Sequence, residues 1–313
     1  MLVAIFVAAI ASAGTLTVTS PTNGAFLGAN NFVKFQTTGS VLEVTINVNV
    51  TGPGGTTIIE KKFTPDGDGK INDQIAVNFS QSSPEGAYTI TVTATEPGNT
   101  YTPVVVNVNV DVTKPKFFDF NPIANSFVKG PNVPIVVKVV DANFKEYRVQ
   151  VNSQDIPNNT GTTLDPQNSF LVNWNVNGIL QDGEQTITIS VKDQAGNEET
   201  KTLPVTIDRI APTTTIQFPR ADTKIRPHST ISVTVDVSDP GSNSIAVTGV
   251  DVVLKDMSNN MIMRVPRTSF QNGRWMGRIQ SNTTLPNKFK IVATTTDKAG
   301  NVGVPQTTNV KIG

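Results

Sequence analysis

Strict apolar–polar alternation dominates this chain, and it recurs. In GAYTITVTATEPGN (Gly86 to Asn99), Ile90, Val92 and Ala94 point one way. In GEQTITISVKDQAGN (Gly183 to Asn197), Ile187, Ile189 and Val191 do the same. In NKFKIVATTTDKAGN (Asn287 to Asn301), the set is Ile291, Ala293 and Thr295. A period of two with one wet face predicts antiparallel strands. Each of these strands runs into a Gly-Asn turn. The copies repeat about every 100 residues, a period read before any single element.

The rest of each copy agrees. LTVTSP (Leu16 to Pro21), FFDFNP (Phe117 to Pro122) and TIQFP (Thr215 to Pro219) are short strands stopped by proline. Then come Val33 to Phe35, Ile135 to Val140 and Ile231 to Val237, and next the strands ending at Val50, Val151 and Leu254. A last strand follows each Gly-Asn turn: Val104 to Val112, Thr202 to Ile207 and Thr307 to Ile312. Proline-bearing joints follow the first two, VTKP (Val112 to Pro115) and DRIAP (Asp208 to Pro212). Proline cannot continue a central strand, so these are stiff boundaries. No stretch beyond residue 14 carries a 3.6-residue apolar period.

About seven short strands per copy predict an all-β chain of three tandem immunoglobulin-like Greek-key sandwiches. The expected units are 15–112, 113–210 and 211–313. Trp174 and Trp275, read as matching positions, are expected in cores. Tyr88, Gln185 and Phe289 also align.

Residues 1–13, MLVAIFVAAIASA, read as a signal peptide, with an apolar run and a small-x-small end but no basic n-region. The alternative is a retained tail, within 1–14, that inserts into a neighbouring subunit. The run is too short to span a bilayer, which takes about 20 residues.

Composition narrows the function. The formal net charge is zero, with 25 basic and 25 acidic residues. That is a poor basis for tracking a nucleic-acid backbone. The absence of cysteine excludes disulfides and thiolate chemistry. The single histidine, His228, sits in IRPHST and is expected in a solvated loop. No serine elbow, zinc-protease helix or phosphate loop is present. A non-catalytic role follows.

The DQAGN and DKAGN turns, with DRIAP between them, resemble those of bacterial and archaeal immunoglobulin-like repeats of secreted or cell-surface proteins. FTPDGDGKIND (Phe63 to Asp73) is similar to a segment of such modules near the ends of secreted proteins. The resemblance implies the sandwich fold and an extracellular structural or adhesive role: a spacer rod, a filament or a surface-layer subunit. A carbohydrate- or partner-binding module is the alternative. The expected partners are a surface glycan or protein, or other copies through strand or tail exchange, and neither nucleic acid nor a stable membrane span.

Two sets of carboxylates are candidate calcium ligands. Within PDGDGKIND, Asp66 and Asp68 can converge on one hard cation, with Asn72 and Asp73 completing the shell. A plain Asx turn is the competing reading. The second set lies at the joints. In a sandwich, the second-to-third-strand loop and the last hairpin loop lie at the end where the chain enters. Asp141 and Asp193 should therefore face Asp111, and Asp239 and Asp297 should face Asp208. Three converging carboxylates repel unless a cation sits between them. The first copy has no preceding domain, and its loops, TTGS and EPGN, have no aspartate. Turn capping by Asp193 and Asp297 is the alternative. Asn49, Asn78, Asn158 and Asn282 begin glycosylation sequons.

Overall fold

The computed structural model describes residues 12–177, 182–239, 249–281 and 284–313. Among them every regular element is a strand, and the strands gather around three separate apolar cores. In the first unit, one sheet runs Thr15–Ser20, Asn30–Thr38, Ile71–Asn78. The facing sheet runs Phe26–Leu27, Val104–Val110, Gly86–Thr95, Val44–Gly52, Gly55–Phe63. Alternation places Val33 and Phe35 from one sheet against Ile46, Val48, Ile90 and Val92 from the other. The second unit repeats the three-plus-five arrangement, and the third has four plus five.

Each unit has eight or nine main strands rather than the expected seven, for a shared reason. The first strand is split. Thr15–Ser20 pairs antiparallel with Asn30–Thr38 and carries a bulge between Val18 and Ser20. The chain then turns at Pro21 and crosses to the other sheet. There Phe26–Leu27 pairs in parallel with Asn109 and Val110. The other units cross identically, through Pro122 to Ser126–Val128 and through Pro219 to Thr223–Ile225. All three Xaa–Pro bonds are cis. The other strands that alternation does not reveal are edge strands such as Gly55–Phe63, exposed along most of its length. They follow the wet rim of the sheet rather than a core face.

Trp174 and Trp275 are buried in the second and third cores, but they are not counterparts. Trp174 lies opposite Val133, and Phe170 opposite Val137. In the third unit Ile279 lies opposite Ile231, and Trp275 opposite Val235. Trp275 therefore occupies the place of Phe170. A sequence alignment of alternating strands can slip by two side-chain pairs without breaking the pattern, and here it did. Gly277 accommodates the indole, since a Cβ there would stand 2.4 Å from the Trp275 ring. Tyr88, Gln185 and Phe289 do share one register position, opposite Val108, Val205 and Val310. His228 is an exposed loop residue with φ 56°.

The two indoles give a direct test of the cores. Trp174→Ala and Trp275→Ala should each lower stability by about 3–5 kcal/mol through cavity formation. Calorimetry of the whole chain should show a different transition moving in each variant. Unshifted transitions would contradict the core assignment.

Candidate metal centres at the domain joints

The DKAGN turn builds the second joint. Asp297 opens it, and its backbone N–H donates to the Asn301 carbonyl. The Asp297 Oδ1 accepts from the Asn301 N–H at 2.8 Å, and its Oδ2 accepts from the Asn301 Nδ2 at 2.8 Å. That amide also donates to the Asp208 carbonyl at 2.9 Å. One asparagine thus ties the turn of the third unit to the linker leaving the second. Asp208 is itself anchored upstream, its N–H donating to the Val128 carbonyl at 3.0 Å. Asp239 follows the strand Thr230–Ser238 and completes a triad. The carboxylate oxygens of Asp208, Asp239 and Asp297 lie within 4.8 Å of one another, and all three residues are buried.

This geometry suits a hard cation. Two oxygens each about 2.4 Å from one calcium ion can be at most about 4.8 Å apart. The donor set is wholly carboxylate, and burial makes mutual repulsion of the ionised groups costly. Asp208, Asp239 and Asp297 would hold the ion, and the ion would supply the opposing charge.

The first joint repeats the tether. Asn197 Nδ2 donates to Asp193 Oδ2 at 2.7 Å and to the Asp111 carbonyl at 2.8 Å. Its N–H donates to Asp193 Oδ1 at 2.9 Å. Here Asn143 intervenes. Its side chain donates to Asp111 Oδ2 at 2.6 Å, and its N–H donates to Asp141 Oδ1 at 2.7 Å. Burial, outweighing the Asn143 bond, pushes the Asp141 carboxyl above its ordinary value, with the charges of Asp193, Asp111 and Glu85 adding to it. Among the described residues, Asp111, Asp141 and Asp193 do not form a group as tight as the second joint's.

At the same end of the first unit the arrangement differs. Glu96 takes the place of Asp193 and Asp297. Its Oε1 accepts from the N–H groups of Val41 and Leu42 at 2.6 and 2.5 Å. Its Oε2 accepts from Asn99 Nδ2 at 2.9 Å and from the Tyr101 hydroxyl at 2.7 Å. Burial works to raise its pKa, but the bonds from Tyr101, Leu42, Asn99 and Val41 prevail and hold it at about 2. Hydrogen bonds do here what a cation would do at the joints. The sequence did not point to Glu96 and Tyr101. The available signal was a Glu in the aspartate position of a shortened turn.

Two more acids, the residues just before Gly86 and Gly183, hold the linkers and carry no signal in the sequence pattern. Glu85 accepts from the N–H groups of Val112 and Thr113 and from the Thr113 hydroxyl. The Thr113 hydroxyl is the main cause of its lowered pKa. Asp182 accepts from the Arg209 N–H at 2.6 Å and from its guanidinium at 2.7 Å. Each linker is therefore clamped at its root. The receiving surfaces differ. At Gly28 a Cβ would come within 2.8 Å of the Ala195 carbonyl, so glycine admits the DQAGN turn. At the second joint Lys129 donates to the Gly300 carbonyl, and Lys298 lies 5.4 Å from the centre of the Phe127 ring.

The PDGDGKIND loop looks different. Asp66 Oδ1 accepts from the N–H groups of Asp68 and Lys70 at 3.0 and 2.8 Å. Asp165 makes the same turn in the second unit, accepting from Gln167 and Ser169 at 2.9 and 2.7 Å. Asp73 accepts from the N–H of its neighbour Gln74 within the strand Ile71–Asn78, and Asn72 is exposed. Among the described residues, Asp66, Asp68 and Asp73 do not bring three carboxylates within reach of one ion. The turn needs no ion to explain it, since an Asx turn satisfies its backbone. Of the sequons, Asn78 and Asn158 are exposed and Asn49 is half-buried in a strand. Asn282 lies outside the described residues.

Fold and joints together define a chain of immunoglobulin-like sandwiches in tandem. Residues 134–209 match the family model for the bacterial Ig-like domain. No curated protein matches the chain. Among solved structures, it is similar to a 1.5-MDa bacterial ice-binding adhesin, at 17% identity and TM-score 0.34, covering 96% of this chain and 98% of that one. It is similar to a Ca2+-stabilized adhesin from an Antarctic bacterium, at 18% identity and TM-score 0.35, covering 97% and 75%. It is also similar to fibronectin(III)-like modules of Clostridium thermocellum CbhA, at 11% identity and TM-score 0.43, covering 63% and 93%.

The Glu96 network predicts a pH signature. A lowered carboxyl stabilises the fold above its unfolded value of 4.5, and that contribution is lost as pH falls toward about 2. Glu96→Gln should lower the melting temperature of the first unit at pH 7, with the difference from the parent chain shrinking as pH falls through this window. A difference independent of pH would show that the carboxylate charge is not what the network holds.

Proposed function

We propose that this chain is a non-catalytic, extracellular structural or adhesive component: a rod of three Ig-like domains, 15–112, 113–210 and 211–313, whose joints are stiffened by calcium. The observation that carries the reading is the buried Asp208–Asp239–Asp297 triad at the second joint. The first joint holds the corresponding acids, Asp111, Asp141 and Asp193. The same end of the first unit carries a hydrogen-bonded Glu96 instead. Aspartates thus gather where two of the units meet, and a hydrogen-bonded carboxylate stands at the same end of the first unit.

A rod role agrees with the short clamped linkers, because a cation shared by carboxylates from both sides of a joint removes its freedom to bend. Among the described residues no helix is long and apolar enough to cross a membrane. Exchange between copies would use exposed edges such as Gly55–Phe63, where Ile58 is 65% exposed. Of the apolar N-terminal segment only Ser12–Ala13 is described, paired in parallel with Asn99–Thr100. Its cleavage as a signal peptide or its insertion elsewhere concerns residues outside the described set.

Small-angle scattering of the whole chain, with calcium and then with chelator, tests the reading. Calcium should extend and narrow the distance distribution, and chelator should broaden it. Asp208→Ala should reduce the response, and Asp208→Ala with Asp111→Ala should abolish it. Identical profiles in calcium and chelator would refute calcium stiffening.

A further inference from the structure

The linker of the first joint has a second face, which the acid cluster does not use. A cleft of about 580 Å³ opens there, between the two units. Its floor is carbon: Pro115, Phe117 and Phe120, with the two phenylalanine ring centres 5.4 Å apart. Its rim is cationic. Lys114 and Lys116 come from the linker and the strand it enters, and Lys201 from the strand Glu198–Ile207. Against these three lysines stands one acid, Glu199, which pairs with Lys114 at 3.4 Å. Lys116 and Lys201 have no ion pair among the described residues. Gln81 closes the cleft from the first unit.

The second joint is an internal comparison. There Ala211 and Thr213 stand at the positions of Lys114 and Lys116. The far wall approaches closely, since a Cβ on Gly303 would stand 2.3 Å from the Pro212 carbonyl. The basic, open cleft thus belongs to the first joint. Its charge is notable in a chain whose formal net charge is zero.

The geometry points to a binding site for an acidic sugar: a pyranose ring carrying a carboxylate or sulfate. Its volume falls in the range of small-ligand sites, which favour interfaces between domains. The ring's carbon face would lie on Pro115 and the phenylalanines. The anionic group would sit among Lys116, Lys201 and Lys114, where charge-assisted hydrogen bonds are strongest. Gln81 offers a partner for a ring hydroxyl, and the Thr113 hydroxyl oxygen, whose proton goes to Glu85, offers an acceptor. The apolar floor and the lysines belong to the second unit and its linker, and Gln81 would be the contact from the first unit.

Calorimetric titration of the whole chain with digalacturonate, a sulfated disaccharide, maltose and inorganic sulfate tests this. The two acidic sugars should bind, with affinity falling as salt rises. Maltose should not bind, and inorganic sulfate should bind far more weakly than either sugar. Lys116→Gln with Lys201→Gln should weaken binding about tenfold or more. Glu199→Gln should strengthen it. Lys224→Gln with Lys288→Gln, at the far end of the third unit, should leave it unchanged. Any of four results would overturn the proposal: no binding by either acidic sugar, equal binding of maltose, sulfate binding as tightly as the sugars, or cleft variants that behave like the distal pair.

Discussion

Two asparagine amides set the relation between the units. Asn197 and Asn301 each bind the aspartate that opens their own turn and, with the same amide, the carbonyl of the aspartate that ends the preceding unit. Each bond converts a local turn into a fixed distance between domains. The acid clusters exist because that distance is short: Asp193 and Asp297 are brought against Asp111 and Asp208 by the same contact. The second joint accordingly holds three buried carboxylates within reach of one another, an arrangement of oxygens that suits a hard cation.

The three units resolve this electrostatic constraint in three ways. The first satisfies Glu96 with four hydrogen-bond donors. The second interposes Asn143 between Asp141 and Asp111. The third brings three carboxylates into one metal-sized group. The surrounding contacts differ to match, with Gly28 admitting a turn at one joint and Lys129 grasping it at the other. Repetition of a fold therefore does not imply repetition of a joint. The basic cleft beside Lys116 and Lys201 is a further difference confined to the first.

Period-two alternation made the sandwich cores legible, because the core selects every second residue of each strand. Alternation does not count pairs, which is why Trp174 and Trp275 were aligned although they sit two pairs apart on corresponding strands. It also misses strands with two wet faces, such as Gly55–Phe63, and the short parallel return after each cis-proline. The joint aspartates were legible from loop order alone. Glu96, Glu85 and Asp182 were not, because each acts through backbone N–H groups that only the folded chain brings near. The turn in the PDGDGKIND loop is the competing Asx reading made visible: Asp66 accepts from the N–H groups two and four residues on, as Asp165 does in the second unit.

The central claim is that the joints bind a cation, and counting bound ions tests it most directly. Equilibrium dialysis of the whole chain against calcium should show saturable binding. Asp297→Ala should remove the ion of the second joint, whereas Asp66→Ala should leave the number of bound ions unchanged. The absence of saturable binding, or its loss in Asp66→Ala with Asp297→Ala unaffected, would contradict the account.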